Sequence, residues 1–144
     1  MALAYQHNGH LIKEDGIHMK NELYIDFLLS NTTLLPKEIS KLTGIKPDTE
    51  LMRGERNQKL DLPRQNVWSV LSHAQSGEVA DHWHELDAIL NNSKEVIREI
   101  AKTGSAKLIL VINNNQRIPP IFIPPKMCEF AGFINAVIEI DHLQ

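Results

Sequence analysis

Between positions 106 and 112 the chain is apolar on both of its alternating phases: Ala106, Leu108, Leu110 and Ile112 on one, Ile109 and Val111 beside Lys107 on the other. Successive side chains of a strand point to opposite faces, so such a run suits the interior of a sheet, with neighbours on both sides. A sheet must therefore be assembled around it. Leu23, Ile25, Phe27 and Leu29 recur at every second position and predict a strand over 23–30 with one strongly apolar face. Val67, Trp68, Val70 and Leu71 form a β-favouring run over 66–73. Ile134, Ala136, Ile138 and Ile140 alternate with Asn135, Val137, Glu139 and Asp141 in a last strand. A fifth is expected over 118–123, across a turn at Asn113-Asn114-Asn115. Pro119 and Pro120 there donate no hydrogen bonds, which favours an edge or an irregular start.

Helical periods fall between these runs. Pro36 suits a first helical position, Ile39 and Leu42 lie three apart, and Gly44 suits the left-handed residue that closes a helix, giving a helix over 36–43. Val79, Trp83, Leu86 and Leu90 repeat at spacings of four, three and four. Asn91-Asn92-Ser93 interrupts that stripe, and Asn92 with Glu95 resembles a capping pair restarting a helix through Val96, Ile97 and Ile100. Two consecutive helices, or one bent at Asn91-Asn92, both fit. Pro124 and Pro125 open a short helix that Gly132 ends. The order is β-α-β-α-α-β-β-α-β, and it predicts an α+β fold: a single mixed, mostly antiparallel sheet with helices packed on one face.

Residues 1–18 stand apart, with three of the seven histidines and poor periodicity. They read either as an appended, vector-derived extension ending at His18-Met19, or as a native edge strand over 9–12. Residues 19–144 form one domain, as the length of 144 residues suggests. Fifteen Lys and Arg against eighteen Asp and Glu give a net charge of −3, without the basic excess that accompanies sequence-independent nucleic-acid binding. No apolar run approaches the ~20 residues of a membrane span, and a lone cysteine makes no internal disulfide, so the expected setting is the cytoplasm.

The seven glycines are never closer than seven positions, so no glycine-rich loop can cradle a phosphate, and neither a nucleophile elbow nor a zinc helix is present. No catalytic, metal or cofactor site is assigned. The densest polar cluster holds Glu78, Asp81, His82, His84, Glu85 and Asp87. On a helix, Asp81, His84 and Glu85 share a turn and offer possible metal ligands, with His73 the nearest histidine outside. Polar residues opposite an apolar stripe are more often solvated surface. With four acids and no Lys or Arg from 78 to 87, the stretch is also a docking patch for a basic partner. The long loop 46–65 carries Arg53, Arg56 and Lys59, with Gly54 allowing a tight turn. These cations either grip an anion or keep the loop soluble, with Arg53 tied to Glu50 or Glu55. Cys128 reads as a small buried hydrophobe, and Trp68 and Trp83 as core rather than a base-stacking platform.

Three landmarks, Leu35-Pro36-Lys37-Glu38-Ile39 through Gly44-Ile45-Lys46-Pro47, Arg53-Gly54-Glu55 and Val67-Trp68-Ser69, precede a terminal alternating strand after Phe130-Ala131-Gly132. With these the chain resembles the bacterial domain of unknown function 4279 family over about its whole ordered length. The resemblance implies a small stand-alone bacterial protein. Some members are regarded as immunity proteins accompanying secreted polymorphic toxins. The expected function is therefore a non-enzymatic, immunity-type protein that binds and neutralises a cognate toxin, such as a nuclease, by occluding its active site. Glu78, Asp81, Glu85, Asp87, Arg53 and Arg56 are the expected contacts, and neither nucleic acid nor membrane is expected as a partner. A small metal-dependent hydrolase using His82 or His84 with Asp81, and a small-ligand-binding regulatory module with a pocket under residues 46–65, are the alternatives.

Overall fold

A computed structural model describes residues 3–5, 11–13, 22–114 and 118–143 of the chain. Strands β1 (Leu3–Tyr5) and β2 (Leu11–Lys13) pair antiparallel with one another, Leu3 opposite Lys13. The main sheet has five strands: β3 (Glu22–Ser30), β4 (Thr49–Leu51), β5 (Val67–Leu71), β6 (Ser105–Asn113) and β7 (Val137–Leu143), in spatial order β4-β5-β3-β6-β7. Only the β6–β7 pair is parallel. The helices are α1 (Pro36–Thr43), α2 (Val79–Leu90), α3 (Lys94–Ala101) and α4 (Pro125–Ile134), with a 3₁₀ turn at Asn91–Ser93 between α2 and α3. The expected α+β class, with one mixed and mostly antiparallel sheet, is what forms.

The doubly apolar run lies in β6, inside the sheet between β3 and β7. One phase of each strand enters a single core: Ile25, Phe27 and Leu29 from β3, Trp68 and Val70 from β5, Leu108 and Leu110 from β6. All four helices bury their apolar stripes against it, with Ile39, Leu86, Ile97 and Met127 among their fully or almost fully covered side chains. Four aromatic rings link the layers. Phe27 stands edge-on to Trp68 (6.4 Å) and to Phe130 (5.9 Å), and Phe130 meets Trp83 at 5.2 Å. Both tryptophans are core residues, as their apolar neighbours suggested. Among the described residues none from the other sheet face joins this cluster, although Val111 there is itself buried, and the four helices lie on one side.

Local signals account for the element ends. Pro36 starts α1, Glu38 Oε1 accepts the Leu35 N–H at 2.8 Å, and Gly44 takes the left-handed conformation (φ 71°) while donating to Ser40 O. The break at Asn91-Asn92-Ser93 separates two helices, with Ser93 rather than Asn92 at the cap of α3.

Three expectations shift. Residues 118–123 form no strand: Pro119, Pro120 and Pro124 cannot donate to a ladder, so the segment runs outside the sheet and β7 takes the place beside β6 in a parallel β-α-β unit. Helix α4 passes through Gly132 to Ile134, because Met127, Phe130, Ala131 and Ile134 form one helical stripe, and Asn135 (φ 60°) is the left-handed cap. The last strand accordingly starts at Val137. Within the expected loop 46–65, residues 49–51 pair with β5, putting Glu50 beside Ser40 Oγ (2.5 Å), which also accepts the Trp68 indole N–H at 3.0 Å. Three residues carry too little pattern for such a strand to be read from sequence.

The turn from α3 into β6 presses on the end of β3. A Cβ on Gly104 would sit against Ser30 O and within 2.6 Å of Asn31 O, both backbone atoms, whereas one on Gly132 meets nothing within 4 Å. Gly104→Ala is expected to lower unfolding free energy by about 2 kcal/mol or more. Gly132→Ala should raise it by about 0.5–1 kcal/mol through helix propensity. Urea denaturation of the two variants checks both signs.

Candidate functional site

The candidate site is built where β5 runs into α2. Ser72 ends the strand fully buried, accepts the Ile25 N–H (2.8 Å) and donates to His82 Nδ1 (2.7 Å). His82 Nε2 donates to Ser76 O at 2.8 Å, because a carbonyl only accepts. Both imidazole nitrogens are thus engaged inside the core, where His82 pins α2 to β5. Although serine and histidine are in contact, no substrate can reach this pair, which is a packing element. Asp81 and His84 are exposed on the same helix, and Asp81 accepts the Ser76 hydroxyl at 2.6 Å. Among the described residues, no group of three or more His, Cys, Asp and Glu side chains is placed to hold a metal ion.

The acidic stretch of α2 divides. At about 100° per residue, Glu78, Asp81 and Glu85 lie along one flank of the helix, and Asp87 is about 200° from Glu85. Asp87 instead lines a cleft of about 420 Å³ with Lys94, Lys126 and Phe133, where Lys94 and Arg98 stand 5.2 and 4.9 Å from the Phe133 ring centre. Glu85 accepts the His73 backbone N–H. The His73 ring pairs with Asp48 Oδ1 at 2.8 Å, and Asp48 Oδ2 accepts the Leu71 N–H at 2.7 Å. The α2 flank, His73 and Asp48 therefore form one continuous polar corner.

Asp26 of β3 extends that corner onto the helix-free face of the sheet. It stands between Leu71 of β5 and Ile109 of β6, with Tyr24 and Leu28 before and after it on the same face. Its Oδ1 is buried without a hydrogen-bond partner among the described residues. Burial pushes the carboxyl up to about 6, and the negative charge of Asp48 adds to the rise. Asp26 is not evident from the sequence pattern because the apolar phase Leu23, Ile25, Phe27 and Leu29 dominates this strand. The available signal was an acid on the opposite phase, flanked there by Tyr24 and Leu28.

The loop cations lie elsewhere. Residues 52–66 join Leu51 to Val67, which pair at the end of the β4–β5 ladder opposite Asp48 and Leu71. Arg53 is committed to Asp61 by Nε–Oδ1 (2.9 Å) and Nη2–Oδ2 (2.7 Å) bonds, not to Glu50 or Glu55, and those bonds hold the Asp61 carboxyl below the usual carboxylate range. Gly54 (φ 76°) makes the tight turn, donating to Pro63 O. Arg56 is exposed, with no ion pair among the described residues. The six expected contacts thus fall in three places: Glu78, Asp81 and Glu85 on the α2 flank, Asp87 at the cleft, and Arg53 with Arg56 in the loop. Cys128, expected to be buried, is exposed on α4.

A cavity of about 300 Å³ opens beside the same corner. The turn 75–79 and the segment 118–122 bound it, and Leu23 and Ile112 lie among its lining. A pocket was expected under residues 46–65, but none of those residues lines this cavity or the Asp87 cleft. No helix among the described residues is long and apolar enough to cross a membrane.

A five-stranded main sheet with four helices on a single face and a polar corner at the β5–α2 junction defines a small α+β protein. Residues 21–144 match the model of the family described as Domain of unknown function (DUF4279), and the chain belongs to that family. No curated protein and no solved structure matches the chain.

Asp26 gives a pH signature. The unfolded carboxyl titrates near 4 and the folded one at about 6, so the folded state binds this proton more tightly. Its stabilising contribution is complete below about pH 4 and is lost as pH rises through about 6. Asp26→Asn is neutral throughout and should be more stable than the parent at neutral pH by about 2–3 kcal/mol, with the gap narrowing towards pH 4. Urea midpoints across that range check the sign, which would reverse if ionised Asp26 were stabilising.

Proposed function

We propose that this protein is a cytoplasmic, non-enzymatic immunity-type protein that binds a cognate bacterial toxin and covers its cationic active-site groove. The observation that carries the reading is a chain of acids along one corner: Glu85 of α2 and Asp48 before β4 both engage His73, Asp26 of β3 lies close enough to Asp48 to feel its charge, and Asp81 with the N-cap Glu78 continues the flank to the start of α2. A preformed surface of one sign steers and orients a partner of the other sign, and its position on strand and helix ends holds it in shape without ligand. Membership of the family described as a domain of unknown function brings no activity with it. The docking patch drawn from the sequence is narrowed: Asp87 and the Arg53–Arg56 loop leave it, and Asp48 and Asp26 join it.

The small-ligand reading keeps one observation in its favour, the cavity between 75–79 and 118–122. The hydrolase reading requires an imidazole of α2 at a metal, and His82 has both ring nitrogens engaged.

The test is titration calorimetry against the polypeptide encoded beside this one, produced in an inactivated form. Wild type is expected to form a tight complex and, on co-expression with the active polypeptide, to restore growth. Glu78→Lys with Asp81→Lys should weaken binding at least ~10-fold at low salt, with the loss shrinking as salt screens the charges. Absence of a complex would overturn the neutralisation reading. Unchanged affinity in the double variant would overturn the acidic corner as its surface.

A further inference from the structure

The cavity beside the acidic corner is lined mainly by apolar side chains, with Glu78 its one charged lining residue. Leu23, Val79, Ile112, Ile118 and Ile121 contribute to its walls, while Glu78 and Gln75 bring polar groups to it. Phe122 also lines it and is 74% exposed, the most exposed of the large apolar residues described. Glu78 has no ion-pair partner among the described residues and stands one turn from Asp81 on the flank already assigned to the partner. Gly77 lies beside it with open space around its Cα and no left-handed backbone requirement, so a side chain there can enter the opening.

We propose that this cavity receives one large apolar side chain of the protein partner, with an adjacent Lys or Arg of that partner meeting Glu78. The inference rests on the binding reading above and gives it an anchor. Interfaces owe most of their affinity to a few bulky side chains seated in desolvated pockets, and a volume of about 300 Å³ accommodates one aromatic or long aliphatic group. Charge complementarity selects the partner: an apolar anchor alone would leave Glu78 unpaired beside it, whereas an anchor followed by a cation satisfies both the wall and the rim. Phe122, which lines the cavity and is largely exposed, then offers its ring to the seated group.

Two measurements test this. In the first, 2-phenylethylammonium, an aromatic group carrying a cation, is titrated into the full chain and followed by methyl NMR. Saturable shifts are expected at Leu23, Val79, Ile112 and Ile121, with a dissociation constant on the order of 1 mM. 2-Phenylethanol, lacking the charge, should bind several-fold more weakly, Glu78→Gln should remove that difference, and Gly77→Phe should abolish the shifts while leaving distant methyl signals unchanged. Absence of saturable shifts, or shifts that survive Gly77→Phe, would overturn the cavity as a binding site. In the second, Phe122→Ala and Gly77→Phe are titrated with the partner polypeptide and should each weaken it at least ~10-fold while keeping its salt dependence. If both bind as wild type while Glu78→Lys with Asp81→Lys does not, the anchor is disproved and the acidic docking surface stands. If the probe binds but the neighbouring polypeptide does not, the cavity serves a free small cation and the docking inference falls with the neutralisation reading.

Discussion

Burial of Ile25, Phe27 and Leu29 under the helices fixes the phase of β3, and the remaining placements follow from that phase. A strand offers only two faces, so committing these three side chains to the core commits Tyr24, Asp26 and Leu28 to the side without helices. Phe27 carries much of the constraint. Its ring contacts Trp68 on the neighbouring strand and Phe130 on α4, and Phe130 reaches Trp83 on α2, so one aromatic chain ties two strands to two helices. A slip of one residue would move Asp26 into that aromatic layer and is correspondingly disfavoured.

The same junction that seals the core also shapes the polar corner. Ser72 closes β5 by accepting from Ile25 and donating to His82, which sets where α2 begins and which flank it turns outward. One residue later, His73 engages Glu85 through its backbone and Asp48 through its ring. Core packing and surface charge are therefore not independent here. A buried hydrogen-bond network positions α2, and the position of α2 decides which of its acids reaches His73.

Long-period features were legible in the sequence. The two central strands, helix α1 with its Pro36 start and Gly44 end, the α2 stripe and its interruption at Asn91-Asn92-Ser93 all rest on signals several residues long, and each forms where expected. The misplaced elements had competing local signals. Ile118, Ile121 and Ile123 suggested a strand, but the flanking prolines deprive the segment of donors. Gly132 suggested a helix end, but burial of Ile134 outweighs the small propensity cost of one glycine. The site was less legible: the helical period alone sets Asp87 apart from Glu85, but no local pattern brings His73 to Asp48 across 25 positions.

The sequence by itself determined the class of fold, because apolar periodicity dictates which segments can be strands or helices and which face of each must leave water. It also determined the family, which residues 21–144 match. Only the tertiary structure decided that β7 runs parallel to β6 at the sheet edge, that Arg53 is committed to Asp61, and that His73 links Glu85 of α2 to Asp48. Those placements depend on contacts between segments tens of residues apart, such as Ile25 with Ser72 and His73 with Asp48. Local pattern encodes how much apolar surface a segment must bury. It does not encode which distant polar groups are brought within hydrogen-bonding reach once it is buried.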